Sequence, residues 1–120
     1  MEVKRIVPNV AAERVEEGLR FYRDVLGLDT VMDLGWIVTL SSAVDANVQV
    51  NMVDQGGSGT EVPDISIEVD DVDEAYRRTR VGGFQIVYPL TDEPWGVRRF
   101  YTRDLCGKLI NVMAHSRSCG

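Results

Sequence analysis

The sequence predicts an α+β fold made of two βαβββ modules. Three observations predict it. Two segments carry apolar residues at helical spacing, and the other ordered-looking segments are short and either alternating or rich in β-formers. The order strand, helix, three strands then runs twice along the chain.

The elements follow in order. Residues 3–10 read as the first strand. Val15, Leu19, Tyr22 and Val25/Leu26 share one helical face, so a helix is expected over 13–26. Glu13, Glu16 and Glu17 sit near its start, where the helix dipole favours negative charge, and Gly27 provides the stop. Strands are expected at 29–33, 36–41 and 47–53, with a turn at Ser42–Asp45. Gln55-Gly-Gly-Ser-Gly-Thr60 reads as a flexible connector. A strand at 64–69 leads to a second helix over about 71–80, with Val72, Ala75, Tyr76 and Thr79 on one face. Asp70, Asp71 and Asp73 open this helix and Gly82-Gly83 close it. Strands at 85–89, 97–103 and 109–114 follow, the last two joined by a turn at Leu105–Lys108. The chain is thus expected to be a single domain: module one 1–54, linker 55–61, module two 62–116 and tail 117–120.

The halves resemble each other. Val15-Glu16-Glu17 answers Val72-Asp73-Glu74, Trp36 answers Trp95, and Gln49 answers Asn111. Offsets that drift along the chain are expected if loops absorbed insertions.

Alternation separates two faces on several strands. Ile65, Ile67 and Val69 oppose Asp64, Ser66 and Glu68; Val48, Val50 and Met52 oppose Asn47, Gln49 and Asn51. Ile110, Val112 and Ala114 oppose Asn111, Met113 and His115. The apolar faces should pack on the helices. The polar faces are either wetted, as antiparallel sheets allow, or line a pocket if the sheets curl.

The 120 residues suffice for one domain with a core, and 44% of them are hydrophobic. A net charge of -6 opposes binding to phosphate backbones or anionic lipid, so nucleic acid and membrane are poor candidates as partners. No stretch approaches the roughly 20 apolar residues of a membrane span. The N-terminus lacks the apolar run of a signal peptide, and Cys106 and Cys119 are too few for a disulfide framework. A cytoplasmic location is expected by default. The lone His115 excludes a site built from several histidines of one chain.

Two segments point to a known family. Phe21-Tyr22-Arg-Asp-Val-Leu-Gly27-Leu28 resembles the helix ending of glyoxalase and bleomycin-resistance proteins. Pro94-Trp95-Gly96, running through Arg103-Asp104 and Gly107 to Ile110-Asn111, resembles that family's closing segment. The resemblance, to the vicinal oxygen chelate superfamily, covers nearly the whole chain. It implies the glyoxalase/bleomycin-resistance-type fold, with cupped mixed sheets around a ligand cavity. Leu105-Cys106 departs from the usual Pro-Asp of the turn, and the strand ending at Arg103 is one residue longer than in bleomycin binders.

Metal-using members of this family place ligands, usually His or Gln, Glu, His and Glu, at equivalent strand positions. Carried over by resemblance, these fall at Val7 (or Asn9), Gln49 (or Asn51), Asp64 and Asn111. That set offers one carboxylate, neutral amides and an apolar side chain, where a divalent transition ion wants imidazole, carboxylate or thiolate. No metal cofactor is therefore expected, a divalent metal being the alternative. Glu68 and His115 stand one strand step away, but no spacing rule recruits them.

The resemblance is closest to the metal-free branch. It implies a homodimer that binds a small organic ligand, cationic and aromatic or antibiotic-like. The alternative is a metal-dependent glyoxalase-like lyase or a ring-cleaving dioxygenase. Pro8 suits a hinge for strand exchange or an edge-strand proline that blocks aggregation.

The candidate ligand-binding residues are Trp36, Gln49, Asn51, Asp64, Glu68, Trp95, Arg99, Tyr101, Asn111 and Met113. Trp36 and Trp95 fit stacking on a ligand or packing in a core or interface. Asp64 and Glu68 give a negative potential or are merely solvated, and Asp64 is a possible general base if buried. Parity on strand 97–103 turns Arg99 and Tyr101 inward and Arg98 outward. Arg99 then meets a ligand or neutralises Asp64 or Glu68. Gln49, Asn51 and Asn111 suit orienting a polar ligand.

Overall fold

The computed structural model describes residues 1–116; the expected tail 117–120, with Cys119, lies outside the described residues. The fold is α+β, with strands β1 (Val3–Ala11), β2 (Asp29–Asp33), β3 (Ile37–Ser41), β4 (Gln49–Val53), β5 (Ile65–Val69), β6 (Ile86–Glu93), β7 (Val97–Arg103) and β8 (Leu109–His115). Helix α1 (Val15–Arg20) follows β1, and helix α2 (Val72–Val81) follows β5. The order β-α-β-β-β is therefore realised twice. Among the described residues no helix is long and apolar enough to cross a membrane.

The chain forms two compact units. The N-terminal unit is Val7–Val62; the C-terminal unit is Met1–Ile6 with, among the described residues, 63–116. The unit boundary cuts β1 itself, so the first residues of that strand belong with module two.

In the N-terminal unit the strand order is β2-β3-β4-β1. β1 runs parallel to β4, while β3 is antiparallel to both β4 and β2. In the C-terminal unit the order is β1-β5-β8-β7-β6, with β5 parallel to β8 and β7 antiparallel to β8 and β6.

One face of each sheet carries its helix. Leu19, Val38, Leu40, Val50 and Met52 form the N-terminal core, with Tyr22 packed against it. Val69, Val72, Ala75 and Phe100 form the C-terminal core, with Ile67, Tyr76 and Val112 against it. Most of the apolar strand faces read from alternation are these; Ile65 and Ile110 belong to neither cluster, and Val48 is exposed in the loop before β4.

Several boundaries move. The first helix begins at Val15 rather than 13, because no Ser, Thr, Asp or Asn precedes it and Arg14 makes no side-chain cap. From Phe21 to Val25 it widens into a π-helical turn, closed by Leu26 N–H to Phe21 O at 3.3 Å. Helix α2 has the cap that α1 lacks: the Asp71 carboxylate accepts from Glu74 N–H. Strand β6 runs to Glu93, beyond the expected 89. It lies at the sheet edge, and the register shift between Tyr88 and Thr91 absorbs Pro89, which has no N–H to donate.

The connector forms a tight turn. Gly56 N–H donates to Thr60 O and Thr60 N–H to Gly57 O, both at 2.9 Å, and Gly57, Ser58 and Gly59 all take positive φ. Glycine supplies the left-handed backbone that closes this tight turn.

Candidate functional site

On the strand faces opposite the helices, Thr39 and Asn51 are buried in the N-terminal unit, and Glu68, Arg99, Tyr101, Asn111 and Met113 in the C-terminal unit. In the N-terminal unit Asn9, Asn51 and Thr39 lie in one row across β1, β4 and β3. Thr39 Oγ1 donates to Asn51 Oδ1 at 2.6 Å, and Asn51 Nδ2 donates to Asn9 Oδ1 at 2.8 Å. The next row, Ala11, Val53 and Ile37, is apolar.

The C-terminal unit repeats this layout with different residues. Ser66, Asn111 and Tyr101 form the matching row across β5, β8 and β7. Glu68, Met113 and Arg99 form the next. By this register Asn111 answers Asn51, not Gln49 as the sequence spacing suggests.

Arg99 is the centre of one cluster. Its side chain is 4% exposed, and its Nε donates to Glu93 Oε2 at 2.6 Å. Its Nη1 donates to Tyr101 Oη at 2.9 Å. The guanidinium carbon lies 5.3, 5.0 and 4.9 Å from the ring centres of Tyr88, Trp95 and Tyr101. Tyr88 Oη donates to the Glu93 carboxylate. An aromatic and acidic cage for a cation therefore exists, and the protein's own Arg99 occupies it. Arg99 pairs with Glu93, not with Asp64 or Glu68 as expected. Glu93 is recruited because β6 runs four residues further than its periodicity suggested.

Arg98, on the opposite face, bonds Asp73 and Asp92, so parity assigned both arginines correctly.

A second cluster surrounds Glu68, whose side chain is 11% exposed. Arg5 Nε donates to its Oε1 at 2.6 Å, and His115 Nδ1 lies 2.7 Å from its Oε2. Burial pushes the Glu68 pKa up, but the hydrogen bonds and charges of His115 and Arg5 outweigh burial and leave it below the usual value. Glu68 is thus neither solvated nor free to attract a cation. Arg5 was missed in the sequence because nothing local marks it; its partner is 63 residues away.

Asn111 is the third feature. Its Nδ2 donates to Ser66 Oγ at 3.0 Å, while its Oδ1 is buried without a hydrogen-bond partner. Met113 is buried beside it on the same face.

The remaining candidates have local uses. Asp64 is exposed, accepts from Leu109 N–H at 2.9 Å and donates its own N–H back to Leu109 O. It ties the start of β5 to β8 and is not a buried base. Gln49 Nε2 donates to Ala46 O in the hairpin loop. Trp36 is half-buried in the turn before β3, its carbonyl accepting from Asp54 N–H.

A profile of the Glyoxalase/Bleomycin resistance protein/Dioxygenase superfamily matches residues 4–112. The chain belongs to this superfamily. No curated protein matches the sequence. Among solved structures, a superfamily member from Vibrio splendidus 12B01 superposes with a TM-score of 0.68 at 19% identity, over 94% of this chain and 99% of that one. Methylmalonyl-CoA epimerase from Mycobacterium tuberculosis gives 0.65 at 19% identity, over 96% and 88%. A chain described as NAD-dependent benzaldehyde dehydrogenase from Legionella pneumophila gives 0.75 at 13% identity, over 92% and 99%. Likeness at such identity establishes the fold alone.

Homologues of this fold often use metals, and the side chains at the equivalent positions here offer few donors. Val7 is 3% exposed and has no donor atom. Gln49 is turned to its loop, Asp64 to Leu109, and Asn9 and Asn51 to each other. Among the described residues no group of three or more His, Cys, Asp or Glu side chains is placed to hold an ion. These residues do not fit a divalent transition metal.

Proposed function

We propose that this chain is a metal-independent, cytoplasmic and homodimeric binding protein for a small organic molecule. The carrying observation is the buried, unpartnered Oδ1 of Asn111. An acceptor buried without a partner costs about 1–3 kcal/mol, and a ligand N–H or O–H relieves that cost. The paired state of Glu93 and Glu68 favours a neutral polar ligand, such as an amide or hydroxyl-bearing aromatic, over a cation.

Titration of tryptophan fluorescence in excess EDTA tests this, with bleomycin as the cationic probe and a set of neutral aromatic amides beside it. Binding should persist in chelator and favour the neutral set, and Asn111→Leu should weaken it about 10- to 100-fold. Stoichiometric transition metal in the purified protein, with binding lost on its removal, would overturn the proposal. Sedimentation velocity checks the homodimer; a monomer under the binding conditions removes that part.

A further inference from the structure

We propose that Arg5, Glu68 and His115 form a general-base site that activates water against small activated acyl esters. His115 is the chain's only histidine and ends β8 on the same face as Glu68. The strand end is pinned, because Ser116 N–H donates to Gly96 O at 2.8 Å. The His115 side chain is 56% exposed, whereas the Glu68 side chain behind it is 11% exposed. A carboxylate beside Nδ1 holds the proton on that nitrogen, which leaves Nε2 as an acceptor facing solvent. Arg5 grips the other carboxylate oxygen, so Glu68 cannot swing away. Base, orienting carboxylate and anchoring guanidinium come from three different strands, β8, β5 and β1. Such an arrangement is specified by the tertiary fold and resembles the base-and-orienter logic of hydrolytic sites.

The surroundings narrow the chemistry. Across the sheet, His115 faces Val97 and Glu68 faces Met113, neither of whose side chains donates a hydrogen bond. The next charges on this face, Arg99 and Glu93, are paired to each other. Nothing adjoining on β7 would stabilise an enolate oxygen, so abstraction of a carbon-bound proton is not favoured. An ester with a good leaving group demands least of such donors, because its transient oxyanion collapses readily with loss of the phenolate. In the step, Nε2 takes a proton from water as the water oxygen bonds to the acyl carbon, and the carbonyl π pair moves onto oxygen. That pair returns as the bond to the leaving group breaks, and the departing phenolate takes the proton from the imidazolium. Ester and water give acid and phenol.

The test is hydrolysis of p-nitrophenyl acetate by the full chain in EDTA, against N-acetylhistidine at equal concentration. The protein should be faster. His115→Gln, a change at an exposed side chain, should lower the rate about 100-fold while the far-ultraviolet circular dichroism spectrum stays that of the folded chain. Glu68→Gln should lower it too and move the ring proton toward Nε2 in nitrogen NMR spectra. Parity with N-acetylhistidine, full activity in His115→Gln, or a wild-type proton on Nε2 would each overturn the assignment. The site does not depend on Asn111, so failure of ligand binding there leaves it standing.

Discussion

The two units build the same rows of side chains from opposite chemistry. Ala11, Val53 and Ile37 in the N-terminal unit occupy the register places of Glu68, Met113 and Arg99 in the C-terminal unit. The neighbouring rows, Asn9-Asn51-Thr39 and Ser66-Asn111-Tyr101, differ less in type and more in outcome. In the first, Thr39 gives its hydroxyl proton to Asn51 Oδ1. In the second, a tyrosine stands where the threonine was, and its oxygen accepts from Arg99. Asn111 Oδ1 is left without a donor. One row pairs its central amide oxygen and the other leaves that acceptor without a partner, so the repeated scaffold is asymmetric at this place.

Substitution at matched places sharpens this contrast. Arg99→Met leaves the buried Glu93 carboxylate without its cation and should cost about 3–5 kcal/mol in urea unfolding. Ile37→Val, at the equivalent place, should cost about 0.5–1.5 kcal/mol. Adding Glu93→Gln to Arg99→Met should recover much of the loss; equal costs at the two places would erase the distinction. Asn51→Leu strips the acceptor from Thr39 and should cost about 1–3 kcal/mol, more than Asn111→Leu, whose oxygen has nothing to lose.

The smallest effect concerns pH. The folded pKa of Glu68 lies below its ordinary value of 4.5. Its pairing with Arg5 and His115 therefore contributes fully at neutral pH, weakens as pH falls through 4.5, and is lost below the depressed value. Glu68→Gln should flatten the acid limb of a stability profile, whereas no change at Ala11 should do so. An unaltered acid limb would break the comparison at this row.

The second helix, capped by Asp71 and ended before Gly83, was legible because its signals are local. The first was less so, since the widened turn at Phe21–Val25 leaves no mark in residue spacing. Parity placed Arg99 and Tyr101 on the buried face correctly. It did not show that the cation would sit within Tyr88, Trp95 and Tyr101, because Tyr88 and Glu93 reach it from an edge strand whose length a proline disguised.

By itself the sequence determined the order of elements, the helix-bearing faces and the family, since periodicity of two and of 3.6 and the residues of turns are properties of neighbours along the chain. Only the tertiary structure decided which charges meet. Glu68 lies 63 residues from Arg5 and 47 from His115, and register across separate strands brings them together. Pairing of this kind depends on strand alignment, which no single strand's pattern encodes.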